Sequence, residues 1–306
     1  MVRLLLILPL AVCTGVATPV CFSGEMYSIA DRSGGWEIER LPGVRECRFD
    51  PSERIDVFRG QEGVCAARRW GSCFLRDVRS DYRHYYTSRT ARDLCLGIGL
   101  MAPIANTTCD EKFQAWWQDD VRSAGTDSLA SGFEPFGRGE IFIPAFAGLA
   151  VAGHLFRDKP LGRRCGDFGE RVTRGYLVGA PPMLFMQAML GGSRPGEDAV
   201  YGSHWKPFDD TNAVSGHAFM GAVPFLTAAE MTDRPVLKGG LLFLSTVPAW
   251  TRVNDDKHYL SQACLGWWMA YLACRAVDDT EHAGRCFEFT PLATPEMTGM
   301  GVVVQR

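Results

Sequence analysis

No dense tract of lysine and arginine occurs anywhere in the chain, whose 32 Lys+Arg stand against 35 Asp+Glu for a formal charge of -3. A protein that neutralises phosphates along a duplex needs a concentrated basic face, so nucleic acid is set aside as a partner. Also missing is an apolar run of the ~20 residues that a membrane-spanning helix requires. The longest apolar stretches, at 141–156, 176–192, 218–231 and 263–277, are each interrupted by a polar residue, a proline pair or their own shortness. They read as buried helices of a bundle, and contact with a membrane surface stays open. There is no C-x-x-C pair with zinc-site spacing, no internal repeat and no low-complexity tract.

What is present fits one large domain with appendages: 306 residues, 46% hydrophobic, are enough to bury a sizeable core. Residues 1–17 combine Arg3, an apolar stretch from Leu4 to Val12 and small residues through Ala17. This is the pattern of a secretory signal, so export to the periplasm or medium is expected, with cleavage after Ala17. If Cys13 leaves with it, an even set of ten cysteines remains, at 21, 47, 65, 73, 95, 109, 165, 264, 274 and 286. An even count in an exported chain suits disulfides. For Cys264, Cys274 and Cys95, in apolar helical stretches, a buried free thiol is an equal alternative.

Residues 18–75 show no sustained period and read as an extension of loops and short strands. From about 88 the pattern turns helical. Leu94, Cys95, Ile98, Met101 and Ala102 recur at helical spacing before Pro103, and Thr108 with Glu111 stands in capping-box register. Further helices are expected at 139–157, 168–192 with a bend at Pro181-Pro182, 215–231, 237–248 and 256–276. The expectation is an all-α helical bundle over 76–280, with a short tail of strand character at 281–306.

Three short stretches in this bundle carry chemistry: "QAMLGGSRPGED", "VSGHAF" and "TRVNDDKHYLSQACLGWW". Singly, an Arg-Pro after a helix is a turn and a Ser-Gly-His is a capped helix start. In this order they resemble the signature of the type 2 phosphatidic acid phosphatase family, which also takes in bacterial acid phosphatases and vanadium haloperoxidases. That signature, K-x6-R-P, P-S-G-H and S-R-x5-H-x3-D, is met here as Gln187-x6-Arg194-Pro195, Val214-Ser215-Gly216-His217 and Thr251-Arg252-x5-His258-x3-Gln262. The resemblance covers about residues 110–277.

The resemblance implies a metal-independent phosphatase acting on a phosphate monoester or pyrophosphate, with a small substrate, lipid-linked in one alternative, and no cofactor. It makes His258 the nucleophile that forms a phosphohistidine and His217 the acid that protonates the leaving alkoxide. Arg194, Arg252, Ser215 and Gly216 would bind the phosphate: arginine forks suit the equatorial oxygens of the transferring group, and a helix start offers free amides. Two residues depart from the pattern. Gln187 replaces the lysine and donates without charge; Gln262 replaces the aspartate and can orient His258 one turn away without offsetting positive charge. Lys206, in the loop before Ser215, is a candidate for the missing cation, against the alternative of a solvated lysine. Two other readings stay open: a non-catalytic oxyanion binder, and a haloperoxidase whose histidine holds vanadate. Aromatic Trp205, Tyr201 and Phe208 lie close in sequence and could meet a lipid chain or simply pack.

Overall fold

The computed structural model describes the backbone of residues 18–22, 25–32, 35–40, 62–197, 202–284, 288–294 and 297–303, and the side chains of residues 70–197 and 202–283. The expected signal segment, Tyr201 and the side chains of Cys21, Cys47, Cys65 and Cys286 lie outside the described residues. The chain divides into two compact units, Met1–Arg68 with His282–Arg306, and Arg69–Glu281.

In the first unit, strands β1 (Thr18–Phe22), β2 (Glu25–Arg32) and β3 (Gly35–Arg40) pair antiparallel in that order. Strands β4 (Glu288–Thr294) and β5 (Met297–Val303) pair antiparallel with each other. Short strands were expected at both ends. A helix was not: α1 (Glu62–Tyr85) begins within the stretch read as extension. Its inward positions Asp81 and Tyr85 are four residues apart, but an aspartate does not register as apolar, so the period is hidden from a hydrophobicity reading.

The second unit is an all-α helical bundle. Helix α2 (Ser88–Ala105) starts where Thr87, in extended backbone, accepts a hydrogen bond from the Thr90 amide at 3.2 Å. Next come α3 (Cys109–Trp116), a π-turn at Trp117–Val121, α4 (Ala124–Phe133) and a 3-10 turn at Glu134–Gly137. The capping box expected at Thr108 does not form its side-chain bond; the reciprocal box is instead made by Ser123 and Thr126, at the start of the unanticipated α4. Helix α5 (Gly139–Leu155) is followed by α6 (Pro160–Leu190), which is longer than expected and unbroken at Pro181-Pro182. Then follow α7 (Gly216–Glu230), α8 (Pro235–Asn254) and α9 (Leu260–Gly284).

Helix α8 also outruns its expected end, continuing past Pro248. A proline there forfeits a backbone bond. The ring nevertheless packs so tightly on α7 that a Cβ on Gly221 would lie 2.4 Å from it, and this burial offsets the loss. The core is built from Tyr176 and Val178 of α6, Phe219 and Leu226 of α7, and Leu265, Met269 and Leu272 of α9. Each such side chain contributes about 1.5–3 kcal/mol on leaving water. At the centre Gly179 brings α6 against its neighbours: a Cβ would lie 2.6 Å from both Ala273 and Phe219.

One charged cluster crosses the bundle. Arg174 donates to both carboxylate oxygens of Asp81, at 2.7 and 2.6 Å, and to Glu281 at 2.5 Å, tying α6 to α1 and α9. With Arg174 and Asp81 buried, this bidentate fork holds the guanidinium charged and fixes the register of the helices.

Cys73, Cys95, Cys109, Cys165, Cys264 and Cys274 are all free, so the disulfide expectation fails for these six. All six stand on helices, and Cys274 lies beside Thr227 and the Val223 carbonyl. Cys274 is buried, and burial pushes its thiol up to about 12, while Cys95 is exposed rather than buried. Among the described residues no helix is long and apolar enough to cross a membrane. Helices α5, α6 and α8 nonetheless expose large apolar side chains, among them Ile143, Leu155, Leu184, Phe185 and Phe243.

Candidate active site

Three chain turns meet at one end of α7. The first follows α6, where Gly191 adopts φ 57°, a left-handed conformation natural to glycine after a helix. A Cβ at that position would lie 1.9 Å from the Lys206 carbonyl, so the 202–215 loop can close over the helix end only at a glycine. Backbone bonds from Phe208 to Ala188 and from Asn212 to Gly192 hold the loop there. Asn212 then accepts the Nε hydrogen bond of Arg194 at 3.0 Å, which aims the exposed guanidinium.

The second turn is the start of α7. Ser215 is fully buried, caps the helix by accepting from the Ala218 amide at 3.3 Å, and donates its own amide to the Gln262 carbonyl at 2.9 Å. Gln187 donates to the Val214 carbonyl at 2.7 Å, so one of its two amide hydrogens serves this turn. At Gly216 an added Cβ would make only ordinary contacts, at 3.5 Å or more, with protein atoms. Packing therefore does not demand a glycine here; what its missing side chain leaves open is the cleft.

The third turn links α8 to α9. Asp256 sits at φ 55°, and its carboxylate accepts from Gln114 at 2.6 Å. The amides of Lys257 and His258 both point back to the Arg252 carbonyl, at 2.9 and 3.2 Å, which sets the spacing between guanidinium and imidazole. His258 Nδ1 lies 2.9 Å from Gln262 Oε1. Behind α9's first turn, Asp110 of α3 accepts from both the amide and the hydroxyl of Ser261 and anchors the helix start.

These turns enclose a cleft of about 290 Å³ lined by Gln187, Arg194, Asn212, Gly216, His217 and His258, with Gly137, Gly139, Glu140 and Met220 on the facing wall. Of the sequence-predicted residues, Gln187, Arg194, Gly216, His217 and His258 line it. Ser215 and Gln262 stand one layer behind, bonded to Gly216's turn and to His258. Lys206 does not line the cleft, and its ammonium faces Asp209 at 3.8 Å. Phe208 points to solvent. The facing wall and Asn212 were missed: Glu140 and Asn212 belong to no local pattern and reach the cleft only through tertiary packing. Gly137 fits so closely against His217 that a Cβ would lie 2.5 Å from its Cδ2.

The electrostatics separate the two histidines. Burial pushes His258 down to about 4, helped by the positive charge of Arg194 and Arg252 and opposed by the Gln262 hydrogen bond. Its ring is therefore neutral at pH 7. Burial and Arg252 also lower His217, but the carboxylates of Glu134 and Glu140 pull it back toward its protonated form. Arg252 is buried and donates to Asp255 at 2.7 Å, yet its Nε hydrogen has no acceptor. An unmet donor on a buried cation costs free energy unless an anion arrives to take it. Among the described residues, no group of three or more His, Cys, Asp or Glu is placed to hold a metal ion.

No protein-family model and no curated protein sequence matches the chain. Among solved structures, it is similar to the crystal structure of the first transmembrane PAP2 type phosphatidylglycerolphosphate phosphatase from Bacillus subtilis, at 12% identity and a TM-score of 0.38, over 73% of this chain and 98% of that one.

Proposed function

We propose that the protein is a metal-independent phosphatase that cleaves a phosphate monoester or pyrophosphate through a phosphohistidine on His258. The observation that carries this reading is the buried Arg252 with its unmet Nε donor, close enough for its charge to act on a neutral histidine and on a second histidine influenced by carboxylates.

The phosphate sits at the α7 N-terminus, where the Gly216 backbone is open and the helix dipole favours an anion. Arg252 and Arg194 donate to its equatorial oxygens and stabilise the charge spread over them in the transition state. With Nδ1 engaged by Gln262, the lone pair of His258 Nε2 attacks phosphorus. The bond from phosphorus to the ester oxygen breaks as His217 delivers a proton to that oxygen. Water then attacks the phosphohistidine, giving its proton to His217, and inorganic phosphate leaves with both histidines restored.

The apolar side chains exposed on α5 and α6 favour an ester presented by a lipid-like surface as one substrate source. The test is release of free phosphate from an activated aryl phosphate by the purified protein in excess chelator, with His258→Ala as control. Activity in chelator that vanishes in the variant is expected. Activity that needs an added divalent ion would overturn the metal-independent chemistry. Binding of phosphate without any turnover would instead support an oxyanion binder, the reading favoured by the loss of charge at Gln187 and Gln262.

A further inference from the structure

We propose that the cleft selects phosphate esters whose leaving group carries a cation, an aminoalkyl phosphate, with Glu140 as the receptor for the ammonium. The proposal rests on the phosphatase reading for the placement of the phosphate end.

The wall formed by Gly137, Gly139 and Met220 gives the direction. Gly137 packs on His217, and Gly139 packs on Met220, where its Cβ would lie 3.3 Å from the methionine methyl. Passing from His217 to Met220 rises about 4.5 Å along α7, away from the helix start where the phosphate sits. A leaving group that takes its proton from His217 therefore runs along Met220, an apolar surface suited to a short methylene chain, toward Glu140. Gly137, Gly139, Glu140, His217 and Met220 all line the same cleft as Arg194 and His258.

The charge at that end acts on His217 but makes no ion pair among the described residues. Glu134 is paired with Arg138 at 3.0 Å, whereas Glu140 has no ion-pair partner among the described residues. Arg194 is held at the phosphate end by Asn212. Gln187 removes one further cation from the cleft, so the carboxylate is not neutralised from across it. Glu140 does stand in the first turn of α5, where any carboxylate is favoured by the helix dipole. That accounts for an acidic residue, and it predicts no dependence of ligand binding on ligand charge.

The experiment measures binding of two non-hydrolysable probes, 2-aminoethylphosphonate and ethylphosphonate, by calorimetry to the full-length protein, to Glu140→Gln and to Glu140→Lys. Thermal melts verify that these exposed-site variants are folded. The wild type is expected to bind the aminoethyl probe about three- to fivefold more tightly, the upper part of the range for an exposed ion pair. Glu140→Gln levels the two, and Glu140→Lys reverses the order. Equal affinities in the wild type, a preference that survives Glu140→Gln, or no binding of either probe would overturn the proposal. Hydrolysis of two esters, 2-aminoethyl phosphate and ethyl phosphate, which lacks the cation, is measured alongside. Turnover without charge preference refutes the ammonium receptor alone, and charge-selective binding without turnover of either ester refutes the phosphatase reading alone.

Discussion

His258 Nδ1 lies 2.9 Å from Gln262 Oε1, one helical turn ahead on α9. The amide is not free to rotate. Its Nε2 donates to the Ser193 carbonyl at 2.8 Å, and its Oε1 also accepts from the Tyr259 amide at 3.2 Å. With the oxygen so fixed, the imidazole must carry its proton on Nδ1, which leaves Nε2 as the basic nitrogen. Glutamine thus performs the orienting half of a carboxylate's task and omits the charge-offsetting half.

The first prediction concerns that residue. Gln262→Leu should lower the single-turnover rate by a factor on the order of 10², less than the ~10⁴ seen where an amide enforces a wrong tautomer, because the ring becomes unoriented rather than misoriented. It also strands the Ser193 carbonyl and the Tyr259 amide, each at about 1–3 kcal/mol. Gln262→Asp should raise the rate of phosphohistidine formation by supplying charge, at a stability cost, since Ser193 loses its donor. Acid-quench detection of phosphohistidine with parallel thermal melts separates rate from stability. Unchanged rates in both variants would remove Gln262 from the mechanism.

A second prediction follows from the two depressed histidines. His258 acts when neutral, above its value of about 4, and His217 acts when protonated, below a value lowered from 6.5. The kcat/KM profile should therefore be a bell lying between pH 4 and 6.5, with the acid limb from His258 and the alkaline limb from His217. The same shift has a stability consequence. The unfolded His258 ring takes up a proton that the folded ring refuses, so its contribution is present above 6.5 and is lost as pH falls toward 4. A pH–rate series and melts of wild type against His258→Asn check both, and a rate plateau at pH 7–8 contradicts the assignment.

Much of the bundle and the three motif stretches were legible because their signals are local. Val214-Ser215-Gly216-His217 holds both a cap and the proposed anion site within four consecutive residues, and Arg252 and His258 are joined by one short turn. The helix at 62–85 was not legible, since among its described side chains the one buried deepest is Asp81, whose partner Arg174 lies far along the chain. Lys206 was legible only as a nearby cation; its loop is set by the fit against Gly191, and that fit turns the ammonium to Asp209. Glu140 and Gly137 carry no sequence signal, because their relation to His217 exists only after the wall folds onto α7.

A third prediction uses that wall. Gly137→Ala would place a methyl 2.5 Å from His217 Cδ2, so the ring must move off the leaving-group oxygen. Alkyl phosphates, which need protonation, should lose on the order of 10²-fold in kcat, while an activated aryl phosphate loses far less. Equal losses on both ester types would assign the acid role elsewhere. His217→Ala run in parallel sets the upper bound for the effect.

The fourth prediction tests the guanidinium itself. Arg252 gives one hydrogen bond to Asp255 and keeps its Nε donor unmet, so a planar fork is held ready while one edge is anchored. Lysine at this position retains the charge but cannot serve Asp255 and a phosphate oxygen in two fixed directions. Arg252→Lys should therefore lower kcat by a factor on the order of 10²–10³, the range for losing one preorganised transition-state donor, with a smaller change in KM. Asp255→Asn should act in the same direction and more weakly, since it loosens the anchor and leaves the fork. Competitive inhibition by inorganic phosphate, measured in all three proteins, reports ground-state binding separately. If Arg252→Lys retains full kcat and phosphate affinity, the unmet donor has no part in catalysis, and the observation on which the phosphatase assignment chiefly stands is gone.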